Sequence, residues 1–207
     1  MATNKSERTR QHIVAQAAVL FNERGYHGTS MADIMAATGL TKGGIYGNFK
    51  REGLDKKGVK EEIAIAALLH TTDAVAAAIR ARTSVINHAV DKLKATVFFY
   101  KEKLLTPPIT HGCPIQNTIV DAGDTELSLG ACARSVLAAW QASIRRTIER
   151  GIERGEIRPG VDAERLAITY IGMLEGGILL AKLRQDRSQF NVLADQLLDQ
   201  LENIRLS

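Results

Sequence analysis

The 207 residues hold 27 Lys and Arg against 23 Asp and Glu, a formal net charge of +4, with 45% hydrophobic and 24% charged side chains. That balance excludes a disordered chain, a collagen-like repeat and a disulfide scaffold, and the length suffices for one or two domains with their own cores. Two cysteines, Cys113 and Cys132, and an N-terminus (MATNKSERTRQ) without an apolar stretch point to a cytoplasmic setting with neither a secretory signal nor a structural disulfide.

All four prolines, Pro107, Pro108, Pro114 and Pro159, fall between apolar-periodic segments rich in Ala, Leu, Ile, Glu and Arg, which predicts an all-α fold. A first helix is expected over 6–24, with Ile13, Ala17, Leu20 and Phe21 on one face and Gly25 ending it. Ser30 and Asp33 carry the spacing of a capping box for a short second helix, which Gly39 stops. Thr41 caps a third through Phe49, where Ile45 and Phe49 share one face while Lys42, Gly43, Tyr46 and Gly47 face away. Longer helices follow at 54–81, 83–105, 114–122, 125–155, 163–184 and 188–205, with connections at Thr106-Pro107-Pro108 and Arg158-Pro159-Gly160. The apolar run Leu166–Ala181 is interrupted by Glu175 and falls short of a bilayer span, so no membrane partner is expected.

Charge is unevenly placed. Residues 1–60 carry ten basic side chains and five acidic ones, a balance of +5, which leaves −1 for residues 61–207. An anionic partner therefore belongs at the head, where two short helices joined by a Gly-containing turn have the form of a helix-turn-helix. Thr29 and Ser30, with the free amides of the helix they precede, suit a backbone phosphate. Tyr46 offers a hydroxyl to another phosphate, and Lys42 on the same face adds charge. Gly43 and Gly44 strip the first turn of side chains so that backbone can approach bases, while Ile45 and Phe49 anchor the helix against Phe21 and Ile34.

The string Phe21-x-x-x-Gly25-Tyr26-x-x-Thr29-Ser30-x-x-x-Ile34-x-x-x-x-Gly39-Leu40-Thr41-Lys42-Gly43-x-Ile45-Tyr46-x-x-Phe49 strongly resembles the N-terminal domain of the tetracycline-repressor (TetR) family of bacterial transcriptional regulators. The resemblance is close over the first quarter of the chain and extends over the rest in helical layout alone. It implies a three-helix DNA-binding domain over 1–53, a helical ligand-binding and dimerisation domain over 54–207, and DNA contacts from Thr41, Lys42, Gly43, Gly44, Tyr46 and Asn48. Asn48 stands where His is common, and the connection after Phe49 is one residue shorter than usual. The phosphate grip there falls to Lys50 or Arg51.

A recognition helix of about nine residues reads only a few base pairs, so specificity calls for a homodimer on a palindromic double-stranded operator. Leu166, Tyr170, Met173, Leu174, Gly177, Ile178 and Ala181 form a broad apolar stripe with Gly172 and Gly176 beside it, which serves either intrachain core or a second subunit. The resemblance implies the latter, in a four-helix bundle. The remaining length has room for a small-molecule effector, with Phe98, Phe99, Tyr100, Trp140, Tyr170, Met173 and Glu175 as candidate contacts. Glu175, a carboxylate amid apolar residues, needs a pairing group or a ligand cation. Cys113 precedes Pro114 at a helix start, where a helix dipole favours thiolate, and a Gly-Cys-Pro start resembles a branch of the family that senses electrophiles or oxidants. The five histidines lack metal-ligand spacing, and neither a phosphate loop nor a nucleophile elbow occurs, so no enzyme, metal or cofactor is expected. The expected function is a ligand-responsive regulator, most simply a repressor; the competing class is a DNA-independent helical ligand-binding or interaction protein.

Overall fold

The computed structural model describes residues 5–49, 56–106 and 109–206. Among them the chain forms nine helices and, outside these, an isolated antiparallel bridge between Ile157 and Arg205. In chain order these are α1 (Lys5–Arg24), α2 (Met31–Thr38), α3 (Lys42–Phe49), α4 (Lys56–Thr83), α5 (Ala89–Lys103), α6 (Pro114–Ala122), α7 (Leu127–Glu153), α8 (Ala163–Arg184) and α9 (Ser188–Asn203). The all-α expectation holds. The largest departure is the start of α5, expected at 83 and found at Ala89, because α4 runs on through Thr83, the Ile86 amide closes a turn on the Thr83 carbonyl, and His88 is the N-cap, its side chain accepting from the Val90 amide. That cap was not read from the sequence.

Two compact units result, residues 1–73 with 114–136 and residues 74–113 with 137–207. The expected division after residue 53 lies outside the described residues. In the first unit α1 crosses α2 and α3. Ile13, Val14, Ala17, Leu20, Ile34, Ile45, Phe49, Val59, Ile63 and Ala67 form its core, with Phe21, Leu40 and Tyr46 packed on the edge. Gly25 ends α1 in the left-handed region at φ +77, and Gly39 does the same for α2 at φ +67. α6 is tied to the end of α1 by polar contacts: Asn117 Nδ2 donates to Asn22 Oδ1 at 2.7 Å and Asp121 Oδ2 accepts the His27 amide at 3.0 Å.

In the second unit α9 packs against both α5 and α8. Between α8 and α9 the approach is close, since a Cβ on Gly177 would stand 2.7 Å from Phe190 Cδ2. Charged pairs border the α5 side of α9, Lys94 with Glu202 at 2.8 Å and Lys101 with Asp195 at 2.6 Å, and Arg205 just beyond α9 pairs with Asp91. Arg205 holds the Asp91 carboxyl below its ordinary value by hydrogen bonding. By length and mean hydropathy (1.5 each), residues Gly58–Thr83 and α8 are both sufficient to cross a bilayer. The length argument applied to 166–181 therefore fails for the complete α8. Leu166, Ala167, Tyr170, Leu174, Ile178 and Ala181 of α8 are instead buried in their own unit.

Candidate nucleic-acid interface and regulatory cluster

Ser30 and Asp33 build the start of α2 by mutual capping. Ser30 Oγ accepts the Asp33 amide at 3.1 Å, while Asp33 Oδ2 accepts the Ser30 amide at 2.7 Å and the Ser30 hydroxyl at 2.5 Å. The hydroxyl bond and then the amide bond hold the Asp33 carboxyl below its ordinary value. After the Gly39 turn, Thr41 Oγ1 accepts the Gly44 amide at 3.3 Å and opens α3. Ile45 and Phe49 then point into the core, 0% and 2% exposed, against α1 and α2.

The other side of α3 is open. Thr41, Lys42, Gly43 and Gly47 are exposed, and Tyr46 is half-buried. A Cβ on Gly43 or Gly47 would meet nothing within 4 Å, and the Lys42 ammonium sits 5.7 Å from the Tyr46 ring centroid. The face is thus small, cationic and hydroxyl-bearing, with clearance for close approach of a phosphate backbone or a groove floor.

Several expected contacts face elsewhere. Thr29 is fully buried, and its hydroxyl is donated to the Gly25 carbonyl at 2.8 Å and the Leu20 carbonyl at 3.3 Å. Its side chain fastens α1 to α2 and is corrected from the phosphate role. The Ser30 hydroxyl is engaged in the cap, although the residue itself is exposed. Gly44 is half-buried, its Cβ position 3.6 Å from Thr41 Oγ1 and 3.7 Å from Leu40 Cβ, so it faces the turn. Asn48 is likewise occupied: Nδ2 donates to the Gly44 carbonyl at 2.7 Å and Oδ1 accepts the Ser6 hydroxyl at 3.0 Å. Lys50 and Arg51 lie outside the described residues.

Arg10 was missed in the sequence. Its guanidinium donates to the Asn48 carbonyl at 2.9 Å and stacks 4.0 Å from the Phe49 ring centroid, bracing the end of α3 from α1. Only its membership of the basic head hinted at a role, because its partners lie in another helix.

Known proteins share this arrangement. Residues 13–51 match the model of the bacterial regulatory proteins of the tetR family, and residues 89–197 match that of the tetracyclin repressor-like C-terminal domain. The chain belongs to the TetR family. A TetR transcriptional regulator from Chloroflexus aurantiacus is 37% identical, with a TM-score of 0.89 over 99% of this chain and 100% of that one. A TetR-family regulator from Cytophaga hutchinsonii is 30% identical, with a TM-score of 0.86 and complete coverage of both chains. An HTH-type transcriptional regulator of Mycobacterium tuberculosis is 30% identical across 91% of each chain. Membership makes the chain a transcriptional regulator whose DNA-binding head is the helix pair just described.

The second unit holds a distinct cluster. Tyr100 lies with its ring centroid 5.4 Å from Phe99, edge to face, and 6.2 Å from Trp140, tilted by 32°. Burial, followed by the nearby Cys113, Glu175 and Tyr170, drives the Tyr100 hydroxyl well above its ordinary pKa. Both Glu175 carboxylate oxygens are buried without a hydrogen-bond partner. Burial pushes this carboxyl up, and the Cys113 thiol, a weak donor, offsets part of the effect. Cys113 itself is buried just before α6. Met173 is half-buried on α8.

Two members of the expected effector set are placed differently. Phe98 is 50% exposed, on another side of α5 from Phe99 and Tyr100, because successive helical residues point about 100° apart. Tyr170 is fully buried and donates its hydroxyl to the Leu93 carbonyl at 2.8 Å, which makes it a strut of the core. The expected interface stripe also divides. Leu166, Tyr170, Leu174, Gly177, Ile178 and Ala181 are core of their own chain, and Phe190 of α9 occupies the space beside Gly177. What α8 leaves exposed is a second stripe, Ile168, Gly172, Leu179 and Leu183, with half-buried Gly176 in register and no atom within 4 Å of a Cβ on either glycine. The spacing of i, i+4, i+8, i+11 and i+15 is that of one helix face.

Proposed function

We propose that the chain is a homodimeric repressor, acting in the cytoplasm, that binds a palindromic operator through α3 and is released by a small molecule or by modification of Cys113. The observation that carries the reading is the two-sided α3. Ile45 and Phe49 fix it to the core, while Thr41, Lys42 and Gly43 stand open to solvent and Tyr46 is half-buried at the edge of the same face. In the complex Lys42 and Tyr46 contact phosphates, Gly43 allows backbone approach, the first-turn α2 amides that the Ser30–Asp33 box does not use hold a further phosphate, and Lys50 or Arg51 grips the flanking strand.

A dimer follows from the shortness of α3, and the exposed Ile168, Gly172, Leu179 and Leu183 stripe is the surface best suited to a second copy. Glycines without neighbours on an apolar helix face permit close approach of a partner helix.

Electrophoretic mobility shift on DNA upstream of its own gene tests the reading. Saturable, salt-steep binding is expected, with Lys42→Ala and Tyr46→Ala each weakening it and Lys42→Ala lowering the salt slope by about one. Sequence-indifferent binding would overturn the operator claim. For Cys113, labelling by iodoacetamide at neutral pH faster than a free thiol supports release by modification; slower labelling leaves release to a reversibly bound molecule.

A further inference from the structure

We infer that the effector is a protonated amine on an apolar body, held by Glu175 as counter-charge beside Tyr100, with the ring of Trp140 packed on Tyr100 at the edge of the cluster; this rests on the regulator reading above. The starting point is an anomaly of polar accounting. Carboxylates removed from water are normally paired or fully hydrogen-bonded. Both oxygens of Glu175 are buried without an N–H or O–H partner, so an acceptor pair is held inside the unit near Tyr100 with the Cys113 thiol as a weak donor.

The surroundings select the ligand. Tyr100 packs on Phe99 at 5.4 Å and on the half-buried Trp140 at 6.2 Å between ring centroids, and the Trp140 side of this aromatic group offers apolar surface to a ligand body and a ring face to its cation. An anionic effector is disfavoured by the carboxylate, and a purely apolar one leaves both oxygens as they are. A protonated amine supplies several donors and a charge in one group, and its charge-assisted bonds are the stronger kind. Trp140, Met173 and the stem of Glu175 are each half-buried, so the rim of the cluster is reachable from solvent although the oxygens face inward. Binding therefore rearranges Trp140, the chain's one tryptophan, whose emission then reports this site alone.

The test titrates the purified full-length protein with phenylbutylamine and with phenylbutanol, which share a body and differ in the cationic donor, while following tryptophan fluorescence. The amine is expected to bind about ten- to a hundredfold more tightly than the alcohol, and Glu175→Gln to remove that preference while leaving alcohol binding in place. Equal binding of the two by the wild-type protein, or an unchanged preference in Glu175→Gln, would overturn the assignment. The wild-type comparison needs no variant to fold. Mobility shift of the ligand-free protein on its upstream DNA separates the two levels. Operator binding without amine preference rejects the effector class and keeps the regulator; amine preference without operator binding rejects the regulator and keeps the site.

Discussion

Ser30 and Asp33 show how much one pair of residues decides. Their reciprocal bonds satisfy two amides at the start of α2, and both side chains were legible as a cap because their spacing is local. Ser30→Ala is expected to cost about 1 kcal/mol of stability, measured by urea denaturation. Asp33 has its folded pKa below the ordinary 3.8, so its contribution is complete above that value and disappears as pH falls through the lowered one. Ser30→Ala should accordingly flatten the acid limb of the stability profile. Thr29, one residue earlier, was misread because burial is not a local property. Its hydroxyl is consumed by the Leu20 and Gly25 carbonyls. Thr29→Val should lower thermal stability while leaving operator affinity per folded molecule unchanged, the reverse of Tyr46→Ala; a DNA defect in the folded Thr29→Val protein would restore the phosphate role.

At the scale of elements, α8 carries two faces with opposite demands. Gly177 lies against Phe190, where an added side chain has no room, and Gly177→Val is expected to destabilise by about 1–3 kcal/mol through overpacking. Gly172 has open space around it in the single chain, and Ala is the better helix former by about 1 kcal/mol. Gly172→Ala should therefore raise the helix's own stability while weakening subunit association, a sign reversal readable by comparing melts at low and high protein concentration. Helix periodicity and the flanking punctuation placed α6 and α8 to the residue. α5 was drawn too long because its start depends on a His88 side-chain cap, a residue seldom used for the purpose.

For the whole molecule, the TetR assignment and the dimer proposal make one linked prediction. Ile168→Asp with Leu183→Asp puts two charges on the exposed α8 stripe without touching either core. Light scattering should show a monomer, far-UV circular dichroism should be unchanged, and operator binding should fall with the loss of the second recognition helix. Retention of a dimer would move the interface elsewhere.

From the sequence alone came what is encoded by neighbours along the chain: the helical periods, the caps and stops, the basic head, and the string from Phe21 to Phe49 that marks the family. These follow from backbone geometry, which couples residues three or four apart. The tertiary structure alone decided which apolar stripe of α8 is core and that Phe98 stands apart from Phe99. It also buried Thr29 in the DNA-binding head, tied the Asn48 side chain to Gly44 and Ser6, and brought Arg10 to the end of α3. Above all, it brought Tyr100 and Cys113, from separate segments, to the buried Glu175 carboxylate and packed Trp140 on Tyr100. Burial and pairing between distant segments depend on how helices cross, and no local spacing records that.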